Sequence, residues 1–207
     1  MFITFEGIEG SGKTTQVELL YNYLTEKGMD VVKTREPGGT IFGEALRKVF
    51  LQPDIHVYPL SELLVFMAMR AQHVEEAILP ALKEGKIVIS DRFSDASYAY
   101  QGYGRGIDLG IITTLNRLVT KGVTPNLTVL LNCTVDEGFK RKMVNGIALD
   151  RFEKEAIAFH KRIRQGYRNI SKEEPNRFLV INGNKGIEET HRIIKNRVER
   201  LLKDHGV

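Results

Sequence analysis

The sequence predicts an α/β protein built on a mostly parallel sheet that helices cover on both faces. Five short apolar, β-branched runs alternate along the chain with longer segments that carry apolar residues every three or four positions. This alternation indicates right-handed strand–helix–strand crossovers. Unusual polar stretches follow three of the runs, at the strand ends where such sheets bind ligands.

The predicted strands are FITF, VVKT, KIVIS, NLTVLL and RFLVI, and the predicted helical segments between them are 13–27, 59–83, 107–121 and 186–203. In the first helix Val17, Leu20 and Leu24 form one apolar stripe. The core stripe predicted for the second helix consists of Leu60, Leu64, Met67, Ala71, Val74, Ile78 and Leu82. Because no linker rich in Pro, Gly or Ser interrupts the chain, residues 1–207 are predicted to form a single domain.

Composition narrows the class of protein. The 207 residues are 42% hydrophobic and 27% charged, which is typical of a soluble globular domain. No apolar run approaches a membrane-spanning length, and the single cysteine, Cys133, suits a reducing compartment, so a cytoplasmic protein without a membrane partner is expected. The five histidines show no metal-ligand spacing. The net charge of +4 fits a small polyanion, and no motif predicts a nucleic-acid partner.

The stretch GIEGSGKT, residues 7–14, has the spacing G-x-x-x-x-G-K-[ST] between a predicted strand and a predicted helix. In that context the pattern indicates a loop whose backbone amides surround the phosphates of a nucleoside triphosphate, and a structural turn is the alternative. Lys13 is expected to reach the β- and γ-phosphates, and Thr14 to ligate Mg²⁺. The residues predicted to bind this nucleotide are Gly7, Gly10, Ser11, Gly12, Lys13, Thr14 and Thr15.

Three charged residues follow neighbouring predicted strands. Asp91 comes directly after KIVIS, where a second carboxylate near Mg²⁺ is expected; a helix N-cap or an ion pair with Arg92 is the alternative. Arg35 and Arg92 are predicted to converge beside the phosphate loop. Two arginines there favour an acceptor that is itself a phosphate monoester, which is largely ionised at neutral pH and needs no general base.

Phe66 and Arg70 are four residues apart and share a helix face beside the predicted core stripe. An aromatic ring that stacks on a base and an arginine that binds its carbonyl suit a nucleotide acceptor. A packed ring with a solvated arginine is an alternative of equal weight. The segment 137–153 combines basic residues with a central glycine, which fits either a lid over the phosphates or a solvated basic helix.

With these residues in place, the chain resembles the thymidylate kinase family, of the bacterial-like type, almost from end to end. The blocks that carry the resemblance are FITFEGIEGSGKTTQ, REPGGT, AMRAQHVEEAILPAL and DRFSDASYAYQGYGRGID. It implies a three-layer P-loop nucleoside-monophosphate-kinase fold with a five-stranded parallel sheet and a short lid. It also implies a homodimer that phosphorylates dTMP to dTDP with MgATP by direct in-line transfer, for dTTP synthesis.

The resemblance implies roles for single residues as well. Lys13, Arg92 and Arg151 are implied to act in catalysis, with Arg141 as a second lid arginine. The residues implied to surround dTMP are Glu9, Arg35, Phe66, Arg70, Arg92, Ser97, Tyr100 and Gln101. Two departures from the family pattern are Ala96, where serine is common, and a lid that is less basic than usual.

Three other functions compete with this one. A kinase for dUMP or a deoxynucleoside keeps the phosphate loop, but a neutral nucleoside leaves Arg35 and Arg92 without a role. A nucleotide-dependent switch does not explain Phe66, Arg70 and the AYQG block. A basic nucleic-acid-binding module predicts salt-dependent binding, and no aromatic-basic platform stands out in the sequence.

Overall fold

The strands of the computed structural model, which describes residues 1–144 and 150–204, form one parallel sheet in the order β2-β3-β1-β4-β5. They are β1 (Phe2–Glu6), β2 (Val31–Arg35), β3 (Ile87–Asp91), β4 (Leu127–Asn132) and β5 (Phe178–Asn182). Each agrees with its predicted run to within one residue at either end. The predicted five-stranded parallel sheet is therefore confirmed.

Helices cover both faces of the sheet. They are α1 (Lys13–Glu26), α2 (Ile41–Phe50), α3 (Pro59–His73), α4 (Leu79–Lys83), α5 (Ser94–Ser97), α6 (Leu109–Thr120), α7 (Val135–Val144), α8 (Ile157–Glu173) and α9 (Ile187–Asp204). There are also two π-helical segments. Val74–Ile78 joins α3 to α4, and Tyr98–Gly104 follows α5. The four predicted helical segments are confirmed. Within the described ranges, no helix is both long and apolar enough to cross a membrane.

The core has two sides. On one face of the sheet, Ile3 and Phe5 of β1 pack against the predicted stripe of α1 and against α9. On the other face, Phe2 packs against the π-helical segment 74–78 and against α4, while α8 covers β4. Because side chains alternate along a strand, Glu6 of β1 falls on the same face as Phe2, at the end of the sheet that carries the loops.

The apolar stripe predicted for the segment 59–83 is wrong in its first half. Leu60 and Leu64 are 56% and 49% exposed, and the buried side chains of α3 include Leu63, Met67 and Arg70. The physical reason is that the buried face includes the polar residue Arg70, which binds the buried Glu36. A stripe chosen from apolar residues alone passes over Arg70 and falls on neighbouring positions.

The predicted lid, 137–153, is described only at its two ends. Its first part belongs to α7, and residues 150–153 lead into α8 through a turn. Its centre, residues 145–149, lies outside the described residues.

Candidate active site

A cavity of about 970 Å³ opens at the carboxyl ends of β1, β2 and β3. This is the edge of a parallel sheet where ligands bind in α/β folds. The sequence-predicted residues that line it are Glu9, Gly10, Ser11, Gly12, Lys13, Thr14, Thr15, Arg35, Phe66, Arg70, Asp91, Arg92, Ser97, Tyr100 and Gln101. Of the predicted site residues, only Gly7 and Arg151 are not part of its lining.

The phosphate-loop candidate, residues 7–12, connects β1 directly to α1. Gly10 and Gly12 have φ values of 68° and 95°, in the left-handed region that side chains disfavour. A Cβ atom on Gly10 would lie 2.0 Å from the carbonyl oxygen of Gly138 in α7, so the loop packs too closely there for any other residue. The N-terminus of α1 faces the cavity behind this loop, which places free backbone amides and the positive end of the helix dipole at its wall.

Lys13 lies inside the loop. Its ammonium donates hydrogen bonds to the carbonyl oxygens of Gly7 at 3.0 Å and Ile8 at 2.9 Å, and the residue is 8% exposed. Burial, and next the nearby charge of Arg92, lower the pKa of Lys13 to about 8. The side chain is therefore cationic at neutral pH and within reach of anything bound in the loop.

The two predicted metal ligands meet at the loop. The hydroxyl of Thr14 donates to Oδ2 of Asp91 at 2.8 Å. Hydroxyl and carboxylate oxygens are the ligands that Mg²⁺ prefers, with phosphate oxygens and water completing its shell. No group of three or more His, Cys, Asp or Glu side chains in 1–144 and 150–204 forms a protein-only metal site. The donor set thus fits a Mg²⁺ ion that is shared with phosphates.

Neither alternative reading of Asp91 describes its contacts. The N-cap residue of α5 is Phe93, and Arg92 pairs with Glu9 at 3.1 Å. Asp91 instead ends β3 in register with Phe5 of β1, the strand that runs into the loop. Its position beside the loop follows from that pairing.

Arg92 points back under the loop from an unusual backbone. Its φ is 73°, in the left-handed region that costs a non-glycine residue on the order of 1 kcal/mol or more. Its guanidinium donates to the carbonyl oxygen of Gly7 and to the hydroxyl of Tyr167, both at 2.9 Å, and to Oε1 of Glu9 at 3.1 Å. The same group lies 4.9 Å from the centre of the Tyr100 ring. Strain of this kind is found at functional sites held by their surroundings.

Glu9 of the loop is a carboxylate whose two oxygens have different surroundings. Its Oε1 accepts hydrogen bonds from Arg92 and from the hydroxyl of Tyr100. Its Oε2 is buried 3.7 Å from Nδ1 of His160 and accepts no hydrogen bond from the described residues. Burial alone would raise its pKa, but the nearby His160 and the charges of Arg92 and Lys13 hold the pKa of Glu9 far below its usual range. Glu9 is therefore an ionised residue of the cavity lining.

Arg35 lines the cavity from the end of β2. It ends β2 in register with Asp91, and its side chain is 54% exposed and paired with Glu44 of α2 at 3.0 Å. Arg35 and Arg92 both line the cavity, and their convergence on one ligand stays a prediction. A second anion held between them would lie next to the phosphate loop.

The Arg70 side chain is buried, since the residue is only 2% exposed. The alternative of a solvated arginine is therefore wrong. Nε donates to Oε2 of Glu36 at 2.8 Å, Nη1 donates to Oγ of Ser97 and Oδ1 of Asn116 at 2.8 and 2.7 Å, and Nη2 donates to the carbonyl oxygen of Phe93 at 3.0 Å. The guanidinium is thus fixed in one plane at the cavity wall. Fixed polar groups of this kind are what selective recognition of a base edge requires.

Phe66 lies on the cavity wall with Arg70 and is half-buried. Its ring meets the ring of Phe50 edge to face, with centroids 5.1 Å apart, and a tilted Phe152 ring lies at 5.9 Å. The aromatic cluster holds the Phe66 ring in place, since edge-to-face pairs are favourable. One exposed face of such a ring is suited to stacking on a flat ligand.

Arg151 does not line the cavity, although its neighbours Asp150 and Phe152 do. It is 8% exposed, its Nη1 donates to Oε2 of Glu62 at 2.9 Å, and its guanidinium carbon lies 4.5 and 4.4 Å from the ring centres of Phe50 and Phe152. The predicted site residue Gln101 donates to the other oxygen of Glu62 at 2.9 Å. The structure therefore does not bring Arg151 together with the phosphate loop.

Arg141 of α7 does reach the cavity. Its Nη2 donates to the carbonyl oxygen of Gly183 at 2.8 Å and its Nε to Glu137 at 3.0 Å. The resemblance gave more weight to Arg151, in the family-like LDRFE block, than to Arg141. The described contacts place Arg141, and not Arg151, beside the loop.

Sequence reasoning missed the buried residues that hold the site together. Glu36 accepts hydrogen bonds from Arg70 and, at 3.0 Å, from Nδ1 of His73. Glu6 accepts a hydrogen bond from the hydroxyl of Tyr167 at 2.6 Å. Glu36 follows Arg35 directly, and an acidic residue beside a predicted anion-binding arginine was a usable signal. Tyr167 lies 161 positions from Glu6, and nothing in the local sequence marks that contact.

Comparison with known proteins places the chain in a family. A family model described as Thymidylate kinase matches residues 5–194. The thymidylate kinase of Geotalea uraniireducens is 49% identical over 199 residues, which cover 93% of this chain and 93% of that protein. The thymidylate kinase of Kosmotoga olearia is 48% identical over 206 residues, which cover 100% of this chain and 99% of that protein. The crystal structure of thymidylate kinase from Ehrlichia chaffeensis has a TM-score of 0.79 and 40% identity, covering 96% of this chain and 98% of that chain, which confirms the predicted P-loop nucleoside-monophosphate-kinase fold. The chain belongs to the thymidylate kinase family.

Proposed function

We propose that this chain transfers the γ-phosphoryl group of ATP directly to the phosphate of dTMP, giving ADP and dTDP. The observation that carries the proposal is one continuous cavity whose wall combines the phosphate loop, two arginines at neighbouring strand ends, and a fixed Phe66–Arg70 pair. A triphosphate in the loop and a nucleotide against Phe66 would point their phosphates toward the same space. Membership of the thymidylate kinase family supports the same donor and acceptor.

The chemistry asked of the protein is alignment and charge neutralisation. The acceptor phosphate is already ionised at neutral pH, so no general base has to remove a proton. Lys13 holds the transferring group, while Arg35 and Arg92 hold the acceptor so that its oxygen attacks in line with the bond that breaks. A direct displacement of this kind needs no covalent enzyme intermediate.

Thr14 and Asp91 are the residues that would hold Mg²⁺. Their oxygens lie 2.8 Å apart at the foot of the loop. When bound, the ion supplies positive charge to the β- and γ-phosphate oxygens. Asp91 also accepts a hydrogen bond from the Thr14 hydroxyl, which fixes the rotamer of the Thr14 side chain.

The acceptor's base and sugar are assigned to the other end of the cavity. Phe66 stacks on the base and Arg70 binds its edge, while Glu9 lies near the sugar. Tyr100, which donates to Glu9, takes the place beside the sugar where a 2′-hydroxyl would be crowded. These roles give the site its preference for a deoxynucleotide with a pyrimidine base.

Turnover of MgATP with dTMP, dUMP and ribothymidine monophosphate in parallel tests the acceptor. We expect dTMP to react fastest, the ribonucleotide to react slowest, and dUMP to be about 10- to 200-fold poorer in kcat/KM, the range that one methyl group contributes in an apolar pocket. Equal rates for all three acceptors would contradict the assigned base and sugar contacts.

The pKa of Lys13 gives a pH dependence. Because burial and Arg92 lower this pKa to about 8, the ammonium loses its proton as the pH rises through that value, and kcat/KM for ATP should fall with it. A Lys13→Arg variant, whose guanidinium stays charged, should keep a flat profile from a lower starting rate. A wild-type profile that stays level above this pH would contradict the assignment of Lys13.

Arg151 is proposed to act only after it leaves Glu62. An Arg151→Ala variant should then lower kcat by about 10-fold or more while the Kd for dTMP stays the same, because a group used only in the transition state leaves ground-state binding untouched. Single-turnover rates together with equilibrium dTMP binding measure the two quantities. An unchanged kcat would remove Arg151 from catalysis and leave it as the buried partner of Glu62.

A further inference from the structure

Tyr167 of α8 lies behind Arg92 and is not part of the cavity lining. It is 1% exposed, and its hydroxyl oxygen lies 2.9 Å from Nη1 of Arg92 and 2.6 Å from Oε2 of Glu6. A guanidinium only donates hydrogen bonds, so the Tyr167 oxygen accepts from Arg92. Its single proton is then donated to Glu6. The chain of hydrogen bonds thus runs from Arg92 through the Tyr167 hydroxyl to Oε2 of Glu6.

Glu6 holds the other end of this chain of hydrogen bonds. It is fully buried at the carboxyl end of β1, and its Oε1 accepts from the backbone N–H of Phe93 at 2.8 Å. Phe93 directly follows Arg92, whose backbone is in the left-handed region. One carboxylate therefore fixes the backbone just after Arg92 and, through Tyr167, the direction of the Arg92 side chain.

Burial and the surrounding charges set the protonation of this cluster. Burial, and then the charge of Glu6, hold the pKa of the Tyr167 hydroxyl well above its usual range, so the hydroxyl stays protonated. Burial, and then the charge of Asp95, raise the pKa of Glu6 to about 7. Glu9 pairs with Arg92 at 3.1 Å, and the Tyr100 ring lies beside the same guanidinium. Arg92 remains a cation throughout, because these acidic neighbours outweigh its own burial.

We propose that Tyr167 is a positioning residue for the acceptor phosphate: its hydroxyl, anchored on Glu6, orients the guanidinium of Arg92 in the cavity. The inference rests on the proposed function, in which Arg92 contacts the phosphate of dTMP. Tyr167 does not touch the acceptor itself. Loss of its hydroxyl therefore acts through Arg92 and weakens the binding of only those ligands that carry the phosphate.

Calorimetric binding of dTMP and of thymidine to wild type and Tyr167→Phe tests this directly. We expect the Kd for dTMP to rise about 10-fold, the size of one hydrogen bond to a charged group, while the Kd for thymidine stays unchanged. Tyr103→Phe is the matched control: this ring packs against Gly166 of the same helix α8, and its hydroxyl has no hydrogen-bond partner among the described residues. That variant should bind both ligands as wild type does.

The outcomes separate this inference from the proposed function. Wild type that binds neither ligand would overturn the proposed function. Suppose instead that wild type binds dTMP. The role of Tyr167 alone would then be overturned if Tyr167→Phe bound dTMP equally well, or if it lost the binding of dTMP and thymidine alike. If Tyr167→Phe does not fold, Glu6→Gln tests the same chain from its other end. The same selective loss of dTMP is expected there, and unchanged dTMP binding would again overturn the role.

Discussion

Replacing Lys13 by alanine is expected to lower kcat by about 10²- to 10³-fold, the usual cost of removing one fixed electrostatic contact to a transition state. The ammonium lies 2.9 to 3.0 Å from two loop carbonyl oxygens, in a buried position where its charge acts at low dielectric. Charge that develops on the transferring phosphoryl group would lose this partner. Steady-state kinetics with MgATP and dTMP measure the loss.

Lys27→Ala provides the control for this variant. Lys27 follows the last residue of the same helix, α1, and forms a solvent-exposed ion pair with Glu199. Exposed pairs of this kind contribute little, so turnover should match wild type. Near-normal turnover of Lys13→Ala itself would remove Lys13 from the mechanism and leave its contacts to Gly7 and Ile8 as loop structure.

Arg70→Ala is expected to destabilise the folded protein by about 3–5 kcal/mol, because it leaves a buried carboxylate without its main partner. Glu36 would keep only His73, and the acceptors on Ser97 and Asn116 would lose their donor. Urea denaturation measures the free energy of unfolding. In folded protein, the KM for dTMP should rise far more than the KM for ATP, since Arg70 lies at the end of the cavity assigned to the base.

A double-mutant cycle isolates the ion pair. Glu36→Gln removes the negative charge, so adding Arg70→Ala to it should cost clearly less than Arg70→Ala costs alone. Additive losses would show that Arg70 is held by Ser97, Asn116 and the Phe93 carbonyl without help from the pair. For Arg70→Ala alone, an equal rise in the KM for dTMP and the KM for ATP would count against a role of Arg70 in base recognition.

The strands and the phosphate loop could be predicted because their signals are local. Each strand is a short apolar, β-branched run, and the loop's glycines, lysine and threonine lie within eight positions. Arg35, Asp91 and Arg92 follow from the same rule, since the carboxyl ends of parallel strands lie side by side. That part of the site needs no knowledge of side-chain packing.

The side of α3 that is buried could not be predicted in the same way. Arg70 takes a core position that an apolar stripe assigns to hydrophobic residues. Its burial depends on Glu36, which lies 34 positions earlier in the chain. A contact of that separation becomes visible only when β2 and α3 have been packed together.

Arg151 shows the same limit from the other direction. Its sequence block indicates a phosphate-binding arginine, yet its described contacts are with Glu62, 89 positions away, and with two aromatic rings. A family pattern reports what a residue does in the reaction. It does not report where the side chain lies at rest, because that depends on buried partners elsewhere in the chain.

ADP release from MgATP with dTMP, with thymidine and with no acceptor is the most direct test of the central claim, that the cavity joins a triphosphate to a nucleoside monophosphate. We expect rapid release with dTMP and almost none in the other two reactions, because thymidine leaves Arg35 and Arg92 without an anion to hold in line. Equal, slow release in all three reactions would contradict it and would make the chain a nucleotide hydrolase without an acceptor site.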